Sequence, residues 1–264
     1  MKQILVTGGT GTLGKEIVYQ LIAKKYRPDI LSSRISPDLP AGARILKGDL
    51  TEKNSLPEVI ANAEIIIHCA SNPRNSDKVD VEGTRNLLEA VNYKKSPHII
   101  YISIVGANKS TYPYYQNKCK VEEMIQESKL PWSILRVTQF HDFVLYRIIN
   151  SLEAGNESIF KIPKGLKFQS IDVEDIAKYI LNLVTHGPIM SIINLGGPQI
   201  LSIEEMTKIY LNEIGKQDKV EEVLLEDDFY NIFMSGINLC PEDRIGFIRW
   251  KEFIRNNLKK QLIR

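Results

Sequence analysis

Residues 4–14 read Ile4-Leu5-Val6-Thr7-Gly8-Gly9-Thr10-Gly11-Thr12-Leu13-Gly14, and this stretch decides the fold. An apolar run ends in a glycine-rich turn and passes directly into a segment where Ile17, Val18, Leu21 and Ile22 recur at helical spacing. A buried strand, a tight turn and a helix start bring unpaired backbone N–H groups and the positive end of a helix dipole together, which suits a pyrophosphate. Gly8 is expected to make the turn, Gly11 to admit phosphate to the backbone, and Gly14 to let the helix pack on the strand. Thr10, Thr12 and Leu13 complete the cradle. The competing reading is a glycine-rich hairpin or unrelated loop, against which the strand-turn-helix order argues.

Outward from this turn, short β-branched runs alternate with amphipathic segments, the pattern of a parallel sheet covered by helices. Strands are expected at Ile4-Val6, Asp29-Ser33, Ala43-Lys47, Ile65-His68, Ile99-Ser103 and Ser133-Arg136, and helices at about Lys15-Lys24, Leu56-Ala61, Val79-Val91 and Tyr114-Ser128. The fold class is α/β, a doubly wound parallel sheet of the Rossmann type over residues 1–138. Past Thr138 the rhythm changes. Asp172-Glu174-Asp175 introduces a helix through Val184, Ile192-Leu195 reads as a strand, and Ser202-Ile203-Glu204-Glu205 resembles a capping box after the Gly196-Gly197-Pro198 turn. Residues 139–264 are therefore expected to form mostly a smaller α+β substrate-binding region, interleaved with the core. The last segment, Asp243 to Arg264, carries an apolar stripe of Ile248, Trp250, Phe253, Ile254 and Leu258 among basic residues. It reads as a terminal helix docked on its own domain, with a membrane-surface helix as the alternative.

With 264 residues and 43% hydrophobic content, the chain is long and apolar enough to build such a core. A formal net charge of +2, spread along the chain, provides no field for nucleic acid. Cys69, Cys119 and Cys240 lack metal or disulfide spacing, no leader or bilayer-length apolar run is legible, and a cytoplasmic location is expected. His68, His98, His141 and His186 show no ligand spacing, so no metal site is expected. His141 is the one placed nearest a pocket.

In dinucleotide folds an acid at the end of the second strand suits ribose hydroxyls and a base suits a 2′-phosphate. Here Ser33-Arg34 stands there. Arg34 offers a planar fork and Ser33 a hydroxyl, favouring NADP(H) with NAD(H) still possible; the plainer reading is a solvated Arg34. Asp49 and Leu50 after the third strand, and Cys69, Ala70 and Ser71 after the fourth, occupy the carboxyl edge where such sheets bind ligands. Asp49 suits the adenine amine and Leu50 its ring, although Asp49 serves equally as a cap.

Tyr114 and Lys118 share a helix face. A free phenol titrates at about 10, and a nearby ammonium stabilises its phenolate, making Tyr114 a candidate general acid or base and Lys118 a candidate partner that also holds the nicotinamide ribose. Ser103, at a strand end, is a candidate donor to a substrate carbonyl. On a helix outside this context such a pair is ordinary surface.

Residues 7–14, Gly48-Asp49-Leu50, Asp80-Val81-Glu82-Gly83-Thr84-Arg85-Asn86-Leu87-Leu88, Tyr114 to Lys118 with Glu122, Leu130-Pro131-Trp132-Ser133-Ile134-Leu135-Arg136-Val137-Thr138-Gln139-Phe140 and Ile193-Asn194-Leu195-Gly196-Gly197-Pro198 together resemble the atypical short-chain dehydrogenases/reductases of the NmrA-like, NAD(P)-binding branch. The resemblance implies a nicotinamide facing the tyrosine, Thr138 beside the nicotinamide end, and a pocket lined from about Gln139-Phe143 and the C-terminal region. Two departures stand out: Asp80 replaces the asparagine that many relatives use to order a relay water, and Ser103 precedes Tyr114 by an altered spacing.

The leading expectation is an NADPH-dependent reductase of a small carbonyl or quinone-like substrate. A non-catalytic NADP(H)-binding redox sensor is the alternative, supported by the two departures. A nucleotide-sugar epimerase or dehydratase would need a diphosphate site, for which Lys161, Lys164 and Lys167 are candidates.

Overall fold

A computed structural model describes residues 2–33, 39–150, 159–217, 219–224 and 228–262. The chain divides into two compact units, one of Met1–Ser103, Pro113–Arg136 and Ile176–Ile193, the other of Ile104–Tyr112, Val137–Asp175 and Asn194–Arg264.

The first unit is built on a seven-stranded sheet. β1 (Ile4–Thr7), β2 (Asp29–Ser32), β3 (Arg44–Lys47), β4 (Ile65–His68), β5 (His98–Ile104), β6 (Trp132–Val137) and β9 (Ile192–Leu195) lie in the order β3-β2-β1-β4-β5-β6-β9. The ladders from β3 to β5 are parallel. The constant offsets of Ile99 N to Pro131 O and Val105 N to Val137 O, and of Ile134 N to Ser191 O and Thr138 N to Leu195 O, show the same sense beyond β5. β1 and β4 are buried throughout, as apolar runs covered on both faces must be, whereas the edge strand β3 exposes both its ends. The covering helices are α1 (Thr12–Ala23), α2 (Pro57–Ile60), α3 (Gly83–Ala90), α4 (Pro113–Glu127) and α6 (Val173–His186), which begins in the other unit. α3 is preceded by a π-helical turn, Asp77–Glu82.

Ile192–Leu195, expected as a strand in a region interleaved with the core, is the seventh strand of the sheet, its backbone bonded alongside β6. The terminal helix, α9 (Trp250–Leu262), starts well after Asp243; residues 243–246 instead bond back to Gly196.

In the second unit, α5 (His141–Phe143) leads into a π-helical turn, Val144–Ile149. β7 (Ile159–Pro163) pairs in parallel with β11 (Lys219–Val223), and β8 (Lys167–Phe168) antiparallel with β10 (Leu201–Ser202). α7 (Ile203–Glu213) opens with the expected capping box between Ser202 and Glu205, and α8 (Asp228–Met234) follows β11. The apolar stripe of α9 is turned inward: Trp250 and Ile254 are almost fully buried, and the Trp250 indole donates to the Met206 carbonyl of α7 at 3.0 Å. Lys161, Lys164 and Lys167 are exposed.

Candidate functional site

The turn after β1 is a backbone construction. Gly8 has φ of 67°, a left-handed conformation, and a Cβ there would lie 2.6 Å from the Ala70 nitrogen. That approach joins the loops after β1 and β4, where the strand order reverses and doubly wound sheets bind their ligands. A Cβ on Gly14 would lie 2.1 Å from the Gly8 carbonyl oxygen, so α1 seats itself on the turn only with glycine there. Gly11 caps α1 without any side-chain hydrogen bond, and the first turn carries no acid. Thr10 is half-buried, Gly11 and Thr12 are exposed and Leu13 is buried. The start of α1 therefore keeps uncapped N–H groups and an uncancelled dipole, the chemistry a pyrophosphate needs, and these residues fit a dinucleotide.

At the end of β2, Ser33 is exposed. Arg34 lies outside the described residues. After β3, Asp49 is spent on its own turn, its Oδ1 accepting from Thr51 N and Thr51 Oγ1 at 2.9 Å each. Leu50, expected against adenine, is a core residue 7% exposed whose carbonyl accepts from Asn86. It packs beneath the start of α3, where a Cβ on Gly83 would lie 3.1 Å from the Leu50 Cβ. Cys69 and Ala70 are half-buried and Ser71 is exposed. Loss of solvation pushes the Cys69 thiol up to about 12, against the pull of Lys118, so it stays protonated.

The polar centre gathers at Lys118. Its Nζ lies 5.5 Å from the Tyr114 ring centroid and 5.0 Å from that of Tyr101, 3.1 Å from Asp80 Oδ1, and donates to the Ile102 carbonyl at 3.2 Å. Burial works against its charge, but the fields of Tyr101, Tyr114 and Asp80 outweigh it and hold its pKa well above the ordinary lysine value. Asp80 sits on the π-helical turn, 1% exposed, accepting from Ser71 Oγ at 2.7 Å and Asn72 N at 3.0 Å. Ser71 Oγ in turn meets the Tyr114 hydroxyl at 3.1 Å. One turn on, Asn117 donates to Ser76 Oγ at 2.9 Å, so α4 and the π-helical turn are tied along their length. Beneath them His68 is clasped by Thr7 and Thr84, and burial, then Lys118, lowers it to about 4, against the opposite pull of Asp80, leaving it neutral.

Ser103 does not join this group. Its hydroxyl donates to Glu122, which also holds Arg136 in a two-pronged ion pair at 2.6 and 2.9 Å. In this structure the Ser103 hydroxyl is therefore engaged by the Glu122 carboxylate rather than by the Tyr114 group. Thr138 belongs to the second unit, where its Oγ1 accepts from Gly197 N. His141, expected near a pocket, is 1% exposed, bonded to Ser170 and the Ile248 carbonyl and packed on Trp250 and Phe253. Among the described residues no group of His, Cys, Asp and Glu is placed to hold a metal ion, and no helix is long and apolar enough to cross a membrane.

Sequence reading treated Asp80 only as a departure and passed over Ser76, Tyr101 and Asn117. The available signal was the pairing of an acid on one apolar-flanked helix with a lysine on the next.

A doubly wound sheet with an uncapped glycine turn at its switch point defines a dinucleotide-binding protein. The chain belongs to the NAD(P)H-binding family, whose model matches residues 8–187. It is 28% identical over 243 residues to the Photosystem II assembly factor Ycf39 of Guillardia theta, covering 88% of this chain and 77% of that protein. To an isoflavone reductase homologue of Nicotiana tabacum it is 25% identical, covering 89% and 81%. Among solved structures it resembles the triphenylmethane reductase of Citrobacter sp., with TM-score 0.81, 20% identity and coverage of 97% and 99%. The NADPH-dependent quinone oxidoreductase of Escherichia coli, solved with NADPH, gives TM-score 0.79, 16% identity and coverage of 97% and 100%.

Proposed function

We propose that this protein is an NADPH-dependent reductase of a small carbonyl or quinone-like substrate, with Tyr114 as proton donor. The observation that carries the reading is the buried Lys118 ammonium beside the Tyr114 ring, fixed by Asp80 and the Ile102 carbonyl. When bound, the reduced nicotinamide supplies a hydride. Tyr114 then transfers its hydroxyl proton to the substrate oxygen that gains charge, and Lys118 stabilises the phenolate left behind. Tyr114 is half-buried, so its proton is restored from solvent. Ser71 Oγ lies 3.1 Å from the Tyr114 hydroxyl and is the hydroxyl group that bonds it. The name of the quinone oxidoreductase neighbour agrees with this chemistry.

Ser33 and Arg34, which follow the second strand in sequence, support a preference for NADP(H), and Gly8 to Gly14 with Lys118 the remaining cofactor contacts; Thr138 is assigned the nicotinamide end by resemblance. Arg34→Ala is expected to weaken NADPH about tenfold or more while sparing NADH, the size of a lost charged hydrogen bond. Screening NADPH oxidation against quinones, aldehydes and ketones tests the reaction. Turnover with one class supports it.

The second reading, an NADP(H)-binding regulator without chemistry, is favoured by the similarity to Ycf39 over most of the chain. Tight NADPH binding with no turnover across the panel would select it.

A further inference from the structure

The buried carboxylate of Asp80 fixes Lys118 and also holds the Ser71 hydroxyl that meets Tyr114, and this second contact has no place yet in the reductase reading. We propose that Asp80 and Ser71 are positioning residues for Tyr114: Asp80 anchors Lys118 and, through the Ser71 hydroxyl, sets the direction of the Tyr114 O–H, and Ser71 reverses its donation when the proton leaves. This rests on Tyr114 acting as the proton donor.

Counting hydrogens gives the direction. A carboxylate only accepts, so across the 2.7 Å contact Ser71 donates to Asp80. Ser71 has a single hydroxyl hydrogen, so across its 3.1 Å contact with Tyr114 the phenol donates and Ser71 accepts. The resting chain therefore runs from Tyr114 to Ser71 to Asp80. Once Tyr114 has given its proton to substrate, the phenolate only accepts. The Ser71 hydroxyl turns to donate to it, while Asp80 retains Lys118 Nζ and the Asn72 N–H. No covalent bond changes at Ser71 or Asp80; one hydrogen bond exchanges acceptors. Asparagine at residue 80 would keep the shape and lose the charge that holds the ammonium.

Among the described residues the charges at Tyr114 are Lys118 on α4 and Asp80 on the π-helical turn. His68 and Tyr101 stand below on β4 and β5. Burial keeps His68 neutral above about 4, Cys69 protonated up to about 12 and the Tyr101 phenol protonated beyond the usual range.

The test is the ultraviolet phenolate titration of Tyr114 in the cofactor-free protein, taken as the difference from Tyr114→Phe. Asp80→Asn removes a negative charge from beside the phenolate and is expected to move the midpoint down by about one pH unit. Ser71→Ala removes the donor that bonds the phenolate and is expected to move it up by a similar amount, with Ser71→Thr restoring it. Ser71 is exposed, so its variant retains the fold even where Asp80→Asn does not. An unmoved midpoint in Ser71→Ala, or a downward one, overturns the proposal. Turnover that survives Tyr114→Phe defeats the reductase reading instead, and leaves the titration shifts in place.

Discussion

The glycine turn and the Tyr114 centre lie in the same unit and are held by opposite means. The turn is made of backbone. Gly8 and Gly14 are excluded from carrying side chains by contacts to Ala70 and to Gly8 itself, and no side chain caps α1. The Tyr114 centre is made of side chains from three elements around one buried ion pair, Lys118 with Asp80, both less than 5% exposed. A steric site fails when atoms are added, and an ionic site fails when charge is removed.

Acid acts on the centre and not on the turn, since residues 8–14 carry no titratable side chain whereas the centre stands over His68, one of three buried neutral histidines in the protein. Burial is the first cause that lowers His68, His98 and His141 to about 4. The unfolded chain binds their protons at the ordinary histidine value of 6.5, so their contribution to stability is complete above 6.5 and lost as pH falls through 4. Asp172 opposes this, because burial raises it to about 6 and the folded state takes up its proton first. Three groups against one leave a net loss on the order of 5 kcal/mol between pH 6.5 and 4. Denaturant unfolding at stepped pH checks it, and stability that holds flat to pH 4 contradicts the neutral histidines.

Asp80→Ala comes next. It strands a buried ammonium and is expected to cost about 3–5 kcal/mol, whereas Asp80→Leu combined with Lys118→Met, which removes both charges, should recover most of the loss. If the double variant is as unstable as the single one, the centre is held by shape and the comparison fails. The smallest stability effect is Gly14→Ala, at about 1–3 kcal/mol from overpacking. NADPH affinity should fall with it, because the backbone shift that relieves the clash moves the phosphate turn; calorimetric titration with NADPH reads this directly.

The same contrast explains what the sequence disclosed. Strands β1 to β6 begin and end within a residue or two of the apolar runs, since burial of both sheet faces demands continuous β-branched residues. The glycine turn was legible because positive φ and close backbone approach leave glycine as the residue that fits. Tyr114 and Lys118 were legible through their spacing on one helix. Asp80 and Ser71 were not, because they reach Tyr114 from other segments of the chain and neither has a local pattern that points there. The partner of Ser103 was hidden for a related reason. The position of Ser103 on β5 was readable, but the capture of its hydroxyl by Glu122, itself held by Arg136, depends on packing between α4 and β6. The burial of His141 and Leu50, 1% and 7% exposed, was not legible either, because it too depends on packing between distant segments.

The central claim, that the side-chain centre performs chemistry while the backbone turn binds the cofactor, is tested most directly by Tyr114→Phe. With NADPH and an accepted carbonyl or quinone, turnover should fall at least about 100-fold, the contribution of a positioned general acid, with NADPH affinity unchanged. Turnover equal to that of the parent protein would contradict the account.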